Sequence, residues 1–183
     1  MAISSSFQNK ILINTDELAS LISQEHERLS IFHASYKTAT FDPKPGHIEK
    51  RIPSSVFYDF NEFSAKHTNL SYMIPTIEEF GETMRKCDVR KNDIIVVYDR
   101  VGMLSSPRAY WMMKLFGMPN VLILNGTFSK WEAEKRAIES GESEGAWKRV
   151  GRKKSTHADD FSYSLNQEKL RLHDDVHKIT LKN

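Results

Sequence analysis

The run Asp93-Ile-Ile-Val-Val-Tyr98 constrains the fold more than any other segment of the chain. Every residue from Ile94 to Tyr98 is apolar or aromatic, so the run has no face suited to water. A strand that is apolar on both faces is typical of a parallel sheet, in which helices cover each side. The run therefore predicts a central strand between two helical layers.

The rest of the chain fits that prediction, because short apolar runs rich in branched residues alternate with amphipathic stretches. This order is expected of parallel strands joined by crossover helices. The predicted strands are Ile11 to Ile13, Leu29 to Ala34, Ser55 to Phe57, Ile94 to Tyr98 and Val121 to Leu124. The predicted helices are Thr15 to His26, Thr76 to Lys86, Pro107 to Phe116 and Thr127 to Arg136. We expect a three-layer α/β fold, with a parallel sheet of about five strands and helices on both faces.

Three predicted helices have recognisable starts. Thr15 is placed to cap the first, and Thr76 with Glu79 forms a capping box before the second. The third begins with Ser105-Ser106-Pro107, which predicts a serine cap followed by proline at the first helical position.

With 183 residues, the chain is long enough for one domain and a tail. Composition shifts at Ser140-Gly-Glu-Ser-Glu-Gly145, which predicts a domain over 1–145 and an extended tail over 146–183. The tail is too poor in apolar residues to fold alone, so we expect other chains to hold it. Its predicted partner-binding residues are the basic Lys148, Arg149, Arg152, Lys153 and Lys154 and the apolar Phe161, Leu165, Leu170 and Leu172.

Three ordered blocks carry a family resemblance: Arg51-Ile-Pro-Ser-Ser-Val-Phe-Tyr-Asp59, Ser106-Pro-Arg-Ala-Tyr-Trp-Met112 and Asn125-Gly-Thr-Phe-Ser-Lys-Trp131. They resemble the N-terminal half of the two-domain sulfurtransferases, the rhodanese and mercaptopyruvate enzymes. The resemblance implies a rhodanese-like fold. Phe161 to Leu165 and Glu168 to Val176 resemble the connection into the catalytic domain of that family, so the tail would be the stub of a lost second domain.

Asp99 stands where the resemblance places the nucleophile, between the central strand and the third helix. In that family the persulfide-forming cysteine lies in the C-terminal domain, and the N-terminal domain carries an aspartate. The departures Arg51, Ser54 and His33 add to the difference from the family pattern. The resemblance therefore implies a degenerate loop without a catalytic residue: Asp99, Arg100, Val101, Gly102, Met103, Leu104 and Ser105.

Three functions follow as hypotheses. The first is an inactive structural and interaction subunit of a larger complex, which the resemblance places in a mitochondrial, respiratory assembly, with the cytoplasm as the alternative location. The second is the non-catalytic half of a split thiosulfate or mercaptopyruvate sulfurtransferase. The third is a loop that binds an oxyanion or a phosphopeptide, against which the Asp99 carboxylate argues because it repels anions.

Other features narrow the expectations further. The single cysteine, Cys87, excludes a zinc site of several thiolates, and we expect neither a metal nor a cofactor. His47, His67, His173 and His177 are expected on the surface, although the last two have i, i+4 spacing. For Arg108 the alternatives are an anion-holding guanidinium beside the loop and an ion pair with Asp99 or Asp59, and we expect the ion pair. The net charge of +2 does not predict nucleic-acid binding, and no apolar run predicts a membrane span.

Overall fold

The computed structural model describes residue 7 and residues 10–100, 102–142, 161–171 and 173–180. Its sheet has five strands, all parallel, in the order β1-β5-β4-β2-β3. The strands are β1 (Leu12–Ile13), β2 (Leu29–Ser35), β3 (Ser55–Asp59), β4 (Ile94–Tyr98) and β5 (Val121–Leu124). All five residues of β4 are buried, which confirms the prediction of a central strand.

Helices cover both faces of the sheet. They are α1 (Thr15–Ser23), α2 (Lys44–Glu49), α3 (Ile77–Lys86), α4 (Ser106–Leu115), α5 (Thr127–Ala133) and α6 (His173–Thr180). Alternate residues of β4 enter two separate cores, with Ile95 and Val97 against α3 and α4, and Val96 and Tyr98 against α1 and α5. This alternation follows from the period of two in a strand, and it makes the domain three-layered.

The helix boundaries differ from the prediction where side chains compete for the caps. Asn14, not Thr15, caps α1 and forms a capping box with Glu17. The Thr15 hydroxyl instead donates to Glu134 Oε2 at 2.6 Å. Helices α1 and α5 end three residues earlier than predicted, at Ser23 and Ala133. The capping box of Thr76 and Glu79 is confirmed.

Helix α2 is absent from the sequence prediction. Pro43, Pro45 and Gly46 lie at its start, and such residues ordinarily indicate a loop. Pro43 nonetheless takes the N-cap position, where its missing N–H costs nothing.

The described part of the tail differs from the expectation of an extended, partner-held segment. Phe161, Leu165 and Leu170 are half-buried against the core beside α3 and α4 of their own domain. Tyr163 is buried and donates a 2.9 Å hydrogen bond to the Val89 carbonyl. The segment therefore contributes apolar surface to the core, which the low apolar content of the tail did not predict.

The other tail residues that the sequence assigned to partner binding, namely Leu172 and the basic Lys148, Arg149, Arg152, Lys153 and Lys154, lie outside the described residues. So does the predicted boundary after 145. Among the described helices, none is both long and apolar enough to cross a membrane.

Candidate functional site

Asp99 follows β4 directly, and its carboxylate lies at the amino end of α4. Oδ2 accepts hydrogen bonds from the Ser105 N–H at 2.8 Å, the Ser106 N–H at 3.1 Å and the Ser106 hydroxyl at 3.2 Å. Only 3% of Asp99 is exposed. The carboxylate thus caps α4 from across the loop, where the helix dipole favours a negative charge.

This arrangement replaces the predicted serine cap. Ser105 is the N-cap residue of α4, but its side chain makes no capping hydrogen bond. Helix α4 begins at Ser106, one residue before the prediction, so Pro107 takes the second helical position. The first turn is satisfied by Asp99, because a buried carboxylate at that place meets two orphan N–H groups at once.

Between Asp99 and Ser105 the loop turns sharply outward. Gly102 and Met103 both have positive φ, at 82° and 49°. Met103 still packs against the core beside α4, whereas Leu104 is 79% exposed. Val101 lies outside the described residues.

Arg100 ties the loop to two helices. Its carbonyl accepts hydrogen bonds from the Thr127 hydroxyl at 3.0 Å and from the Ser129 hydroxyl at 2.7 Å, in the first turn of α5. Its guanidinium donates to the carbonyls of Gly46 at 2.9 Å and Lys50 at 3.0 Å, in and just after α2. The loop is therefore held by contacts on both of its sides.

The expected ion pair of Arg108 is wrong. Its guanidinium donates to the backbone carbonyl of Tyr72. None of the ion pairs among the described residues joins Arg108 to Asp99 or Asp59. Arg108 thus fixes the segment before α3 on the first turn of α4.

A pair of buried histidines lies beside the loop, and the sequence did not predict it. His33 in β2 and His47 in α2 are 0% and 1% exposed, so the surface position expected for His47 is wrong. Their Nδ1 atoms are 3.1 Å apart, and the His33 ring stacks on Tyr98 with centroids 5.1 Å apart. His33 alternates with Leu29 and Ile31 on one face of its strand, and this period of two could have predicted that it is buried. His47 had none, because α2 itself was not predicted.

An external anion can bind at the start of α4 only if the Asp99 carboxylate leaves that position. Both N–H groups at the start of α4 already bind Asp99 Oδ2. Within the described part of the chain, no group of three or more His, Cys, Asp or Glu side chains is arranged to hold a metal ion. Cys87 is the C-cap of α3, and the negative end of the helix dipole there disfavours a thiolate.

Comparisons with known proteins agree with this architecture. Residues 16–134 match the family model of the rhodanese-like domain. A probable 3-mercaptopyruvate sulfurtransferase of Schizosaccharomyces pombe is 32% identical over 105 residues, which are 57% of this chain and 35% of the relative. The thiosulfate sulfurtransferase TUM1 of Saccharomyces cerevisiae is 41% identical over 90 residues, covering 49% of this chain and 29% of the relative. The chain thus spans about a third of the length of these relatives.

Solved structures extend the likeness over more of the chain. The 3-mercaptopyruvate sulfurtransferase of Escherichia coli superposes with a TM-score of 0.80 at 25% identity, over 95% of this chain and 63% of that one. The sub-stoichiometric sulfur transferase subunit of yeast mitochondrial complex I gives 0.61 at 27% identity, over 76% and 46%. The family model covers most of the described sheet and its helices, so this chain belongs to the rhodanese-like domain family.

Proposed function

We propose that this chain is a catalytically inactive rhodanese-like domain that serves as a structural and interaction subunit of a larger complex. One observation carries the proposal. The Asp99 carboxylate stands at the position that the family resemblance assigns to the nucleophile, and it accepts hydrogen bonds from both N–H groups at the start of α4. The place of the reacting sulfur is then taken by a group of the protein itself.

The chemistry of sulfur transfer supports this proposal. A thiolate attacks the sulfane sulfur, a sulfur–sulfur bond forms, and the leaving group departs with the electron pair. A carboxylate is a hard nucleophile and gives no stable persulfide, so Asp99 does not replace the thiolate. The remaining thiol, Cys87, is half-buried against the core and caps α3 at its carboxyl end.

Association with a complex in a mitochondrion is supported by two relatives and by one surface. The yeast sulfur transferase whose structure resembles this chain is a subunit of mitochondrial complex I. A similar sulfurtransferase of Arabidopsis thaliana is mitochondrial. In this chain an open groove of about 580 Å³ lies between the 161–171 segment and α6, and Leu165, Leu170 and Ile179 form part of its wall. We propose that this groove, together with the basic residues 148–154, binds other subunits, in a mitochondrion.

The catalytic part of the proposal is tested by assaying the chain for sulfur transfer from thiosulfate or 3-mercaptopyruvate to cyanide. We expect turnover at the level of the reaction without protein. The matched control is Cys87→Ser, which removes the one thiol. Turnover that survives this substitution contradicts the assignment of the loop as inactive, and turnover that disappears with it assigns the activity to Cys87.

A second variant tests whether the loop is one substitution away from activity. Asp99→Cys puts a thiol where the parent residue is only 3% exposed. Because the cysteine sulfur lies closer to the backbone than the carboxylate oxygen, it falls short of the point at which the two N–H groups converge. We expect little turnover, with Asp99→Ser as the control. Robust turnover would mean that the cradle accepts a persulfide.

The split sulfurtransferase is the second candidate function. It is favoured by the chemistry of the relatives, since the matched proteins of Schizosaccharomyces pombe and Saccharomyces cerevisiae are named as sulfurtransferases. Purification of the native protein distinguishes the two. A cysteine-bearing rhodanese-like chain in equal amount, together with sulfur transfer by the complex, supports the split enzyme. Subunits without such a chain support the structural role.

A further inference from the structure

Two neutral imidazoles face each other between β2 and α2. His33 and His47 approach through their Nδ1 atoms at 3.1 Å, and their rings are inclined by 26°. The Nε2 atoms of both are buried, with no hydrogen-bond partner among the described residues. The pair is closed off by Phe57, whose ring centroid lies 5.6 Å from that of His33 and 5.5 Å from that of His47.

The contact between the two Nδ1 atoms limits how many protons the pair can carry. One Nδ1 must carry a hydrogen and the other a lone pair, since two donors facing each other repel. Each neutral ring therefore holds one proton, and any further proton creates a buried imidazolium. Among the described residues, neither Nε2 atom faces an acceptor for an added hydrogen, so the cost of desolvating the charge is not offset.

The charged groups around the pair oppose protonation as well. Arg100, from the loop after β4, acts on both rings, and Arg51 and Lys44 act on His47, all of them positive. Among the described residues, Glu139 is the one acidic group whose charge favours protonation of His47, and it is already ion-paired with Arg51.

The remaining titratable neighbour is Tyr98, which stays neutral. Burial raises the pKa of Tyr98 to about 12. Burial likewise lowers the pKa of His33 to about 3 and that of His47 to about 4.

Helix α2 connects this pair to the rest of the site. The Arg100 guanidinium holds the carbonyls of Gly46 and Lys50, and the Gly141 N–H donates to the Ile48 carbonyl at 2.8 Å. Apart from His47, no residue of α2 is fully buried. The helix is thus held by its backbone hydrogen bonds and by one buried side chain, without an apolar face of its own.

We propose that the pair of His33 and His47 is an acid-sensitive latch: proton uptake by the pair detaches α2 from the sheet while the remainder of the domain stays folded. Detachment exposes both imidazoles to water, where their charge is solvated. It also frees the Arg100 side chain, which leaves the loop held by α5 and by the Asp99 cap. The latch couples acid to the mobility of the candidate site.

Hydrogen–deuterium exchange of the full chain tests the latch, at about pH 7 and about pH 4.5, after correction for the intrinsic exchange rate at each pH. We expect the amides of His47 in α2 and of its C-cap Lys50 to lose protection by about tenfold or more at the lower pH, because the open state binds protons that the closed state excludes. Amides of β4 should keep their protection. A joint loss in α2 and β4 would indicate global unfolding and would overturn the latch.

The double variant His33→Asn, His47→Asn is the matched control. Two amides retain a donor and an acceptor at the Nδ1 positions and do not titrate, so α2 should keep its protection at the lower pH. His67→Asn, whose side chain is 58% exposed, should behave like the parent chain. An equal loss of protection in the double variant overturns the proposal. If that variant does not fold, imidazole NMR signals of the parent chain decide, since both must remain those of neutral rings at about pH 5.5.

Discussion

Asp99 makes its strongest contacts as a helix cap. Its Oδ2 binds two backbone N–H groups and one hydroxyl in a buried place, and such charge-assisted hydrogen bonds are stronger than neutral ones. A buried carboxylate would be costly without partners. The start of α4 supplies them, together with the positive end of the helix dipole. The residue that the resemblance assigns to lost chemistry therefore has a structural task.

We predict that Asp99→Ala lowers the free energy of unfolding by about 2–3 kcal/mol, because three donors lose their acceptor. Asp99→Asn should lower it by about 1 kcal/mol, since the amide oxygen still accepts at the Oδ2 position. Urea unfolding of the two variants and the parent measures both. Leu104→Ala is the control, since Leu104 lies in the same loop but is 79% exposed. An alanine variant as stable as the parent would contradict the capping role.

The segment 161–166 completes α4 at its other end. The Asn166 N–H donates to the Leu115 carbonyl at 2.8 Å, and the Ser164 N–H to the Phe116 carbonyl at 3.4 Å. These carbonyls belong to the end of the helix, where no intrahelical donor is available. Just before these two residues, the Tyr163 ring meets Phe80 edge to face, with centroids 5.1 Å apart. The segment thus joins the carboxyl end of α4 to α3.

We predict that Tyr163→Ala costs about 3 kcal/mol of unfolding free energy, because it leaves a cavity against Phe80 and α4. Tyr163→Phe should cost about 1 kcal/mol, the loss of the hydrogen bond to the Val89 carbonyl. Leu70→Ala is the control, since Leu70 is 66% exposed and its loss should change stability little. Thermal or urea unfolding of the full chain measures all three. An unchanged stability for Tyr163→Ala would mean that the segment detaches without cost.

Two cores on opposite faces of the sheet stabilise the domain. The buried histidine pair lies on the face that α1 and α5 cover, where His33 stacks on Tyr98. Apolar burial gives a stability that changes little with pH. The pair adds a term that does depend on pH, because its pKa values in the folded chain, about 3 and about 4, lie below the ordinary value. Between these values and about 6.5 the unfolded chain binds more protons than the folded one. The contribution of the pair to stability is therefore fully present above about pH 6.5 and is lost as the pH falls toward the folded pKa values.

We predict that the free energy of unfolding decreases by about 2–3 kcal/mol between about pH 6.5 and about pH 5, with at most about 1.4 kcal/mol per pH unit from each histidine. Hydrogen bonds also lower the pKa values of carboxylates such as Glu17 and Glu79, so these groups add a loss of the same sign as the pH falls further. Urea unfolding at several pH values checks the slope. The variant His33→Asn, His47→Asn should flatten it, and an unchanged slope in that variant would contradict the assignment.

The sequence by itself determined the three-layer fold, the central position of β4 and the loop that carries Asp99. These features are local, since strand period, capping residues and apolar runs are properties of short segments. The capping box before α3 was found in the same way. The family blocks added the fold by resemblance, and the match over residues 16–134 confirms the family.

Tertiary structure alone decided which distant groups meet. The cap of α4 comes from Asp99 instead of a neighbouring serine, because a carboxylate across the loop reaches both N–H groups and displaces the weaker local hydroxyl. The pairing of His33 with His47 depends on α2, which a segment rich in proline and glycine did not predict. Tyr163 is buried because the start of its segment returns to α3 and the end of α4, and such a long-range contact leaves no periodic pattern in the sequence.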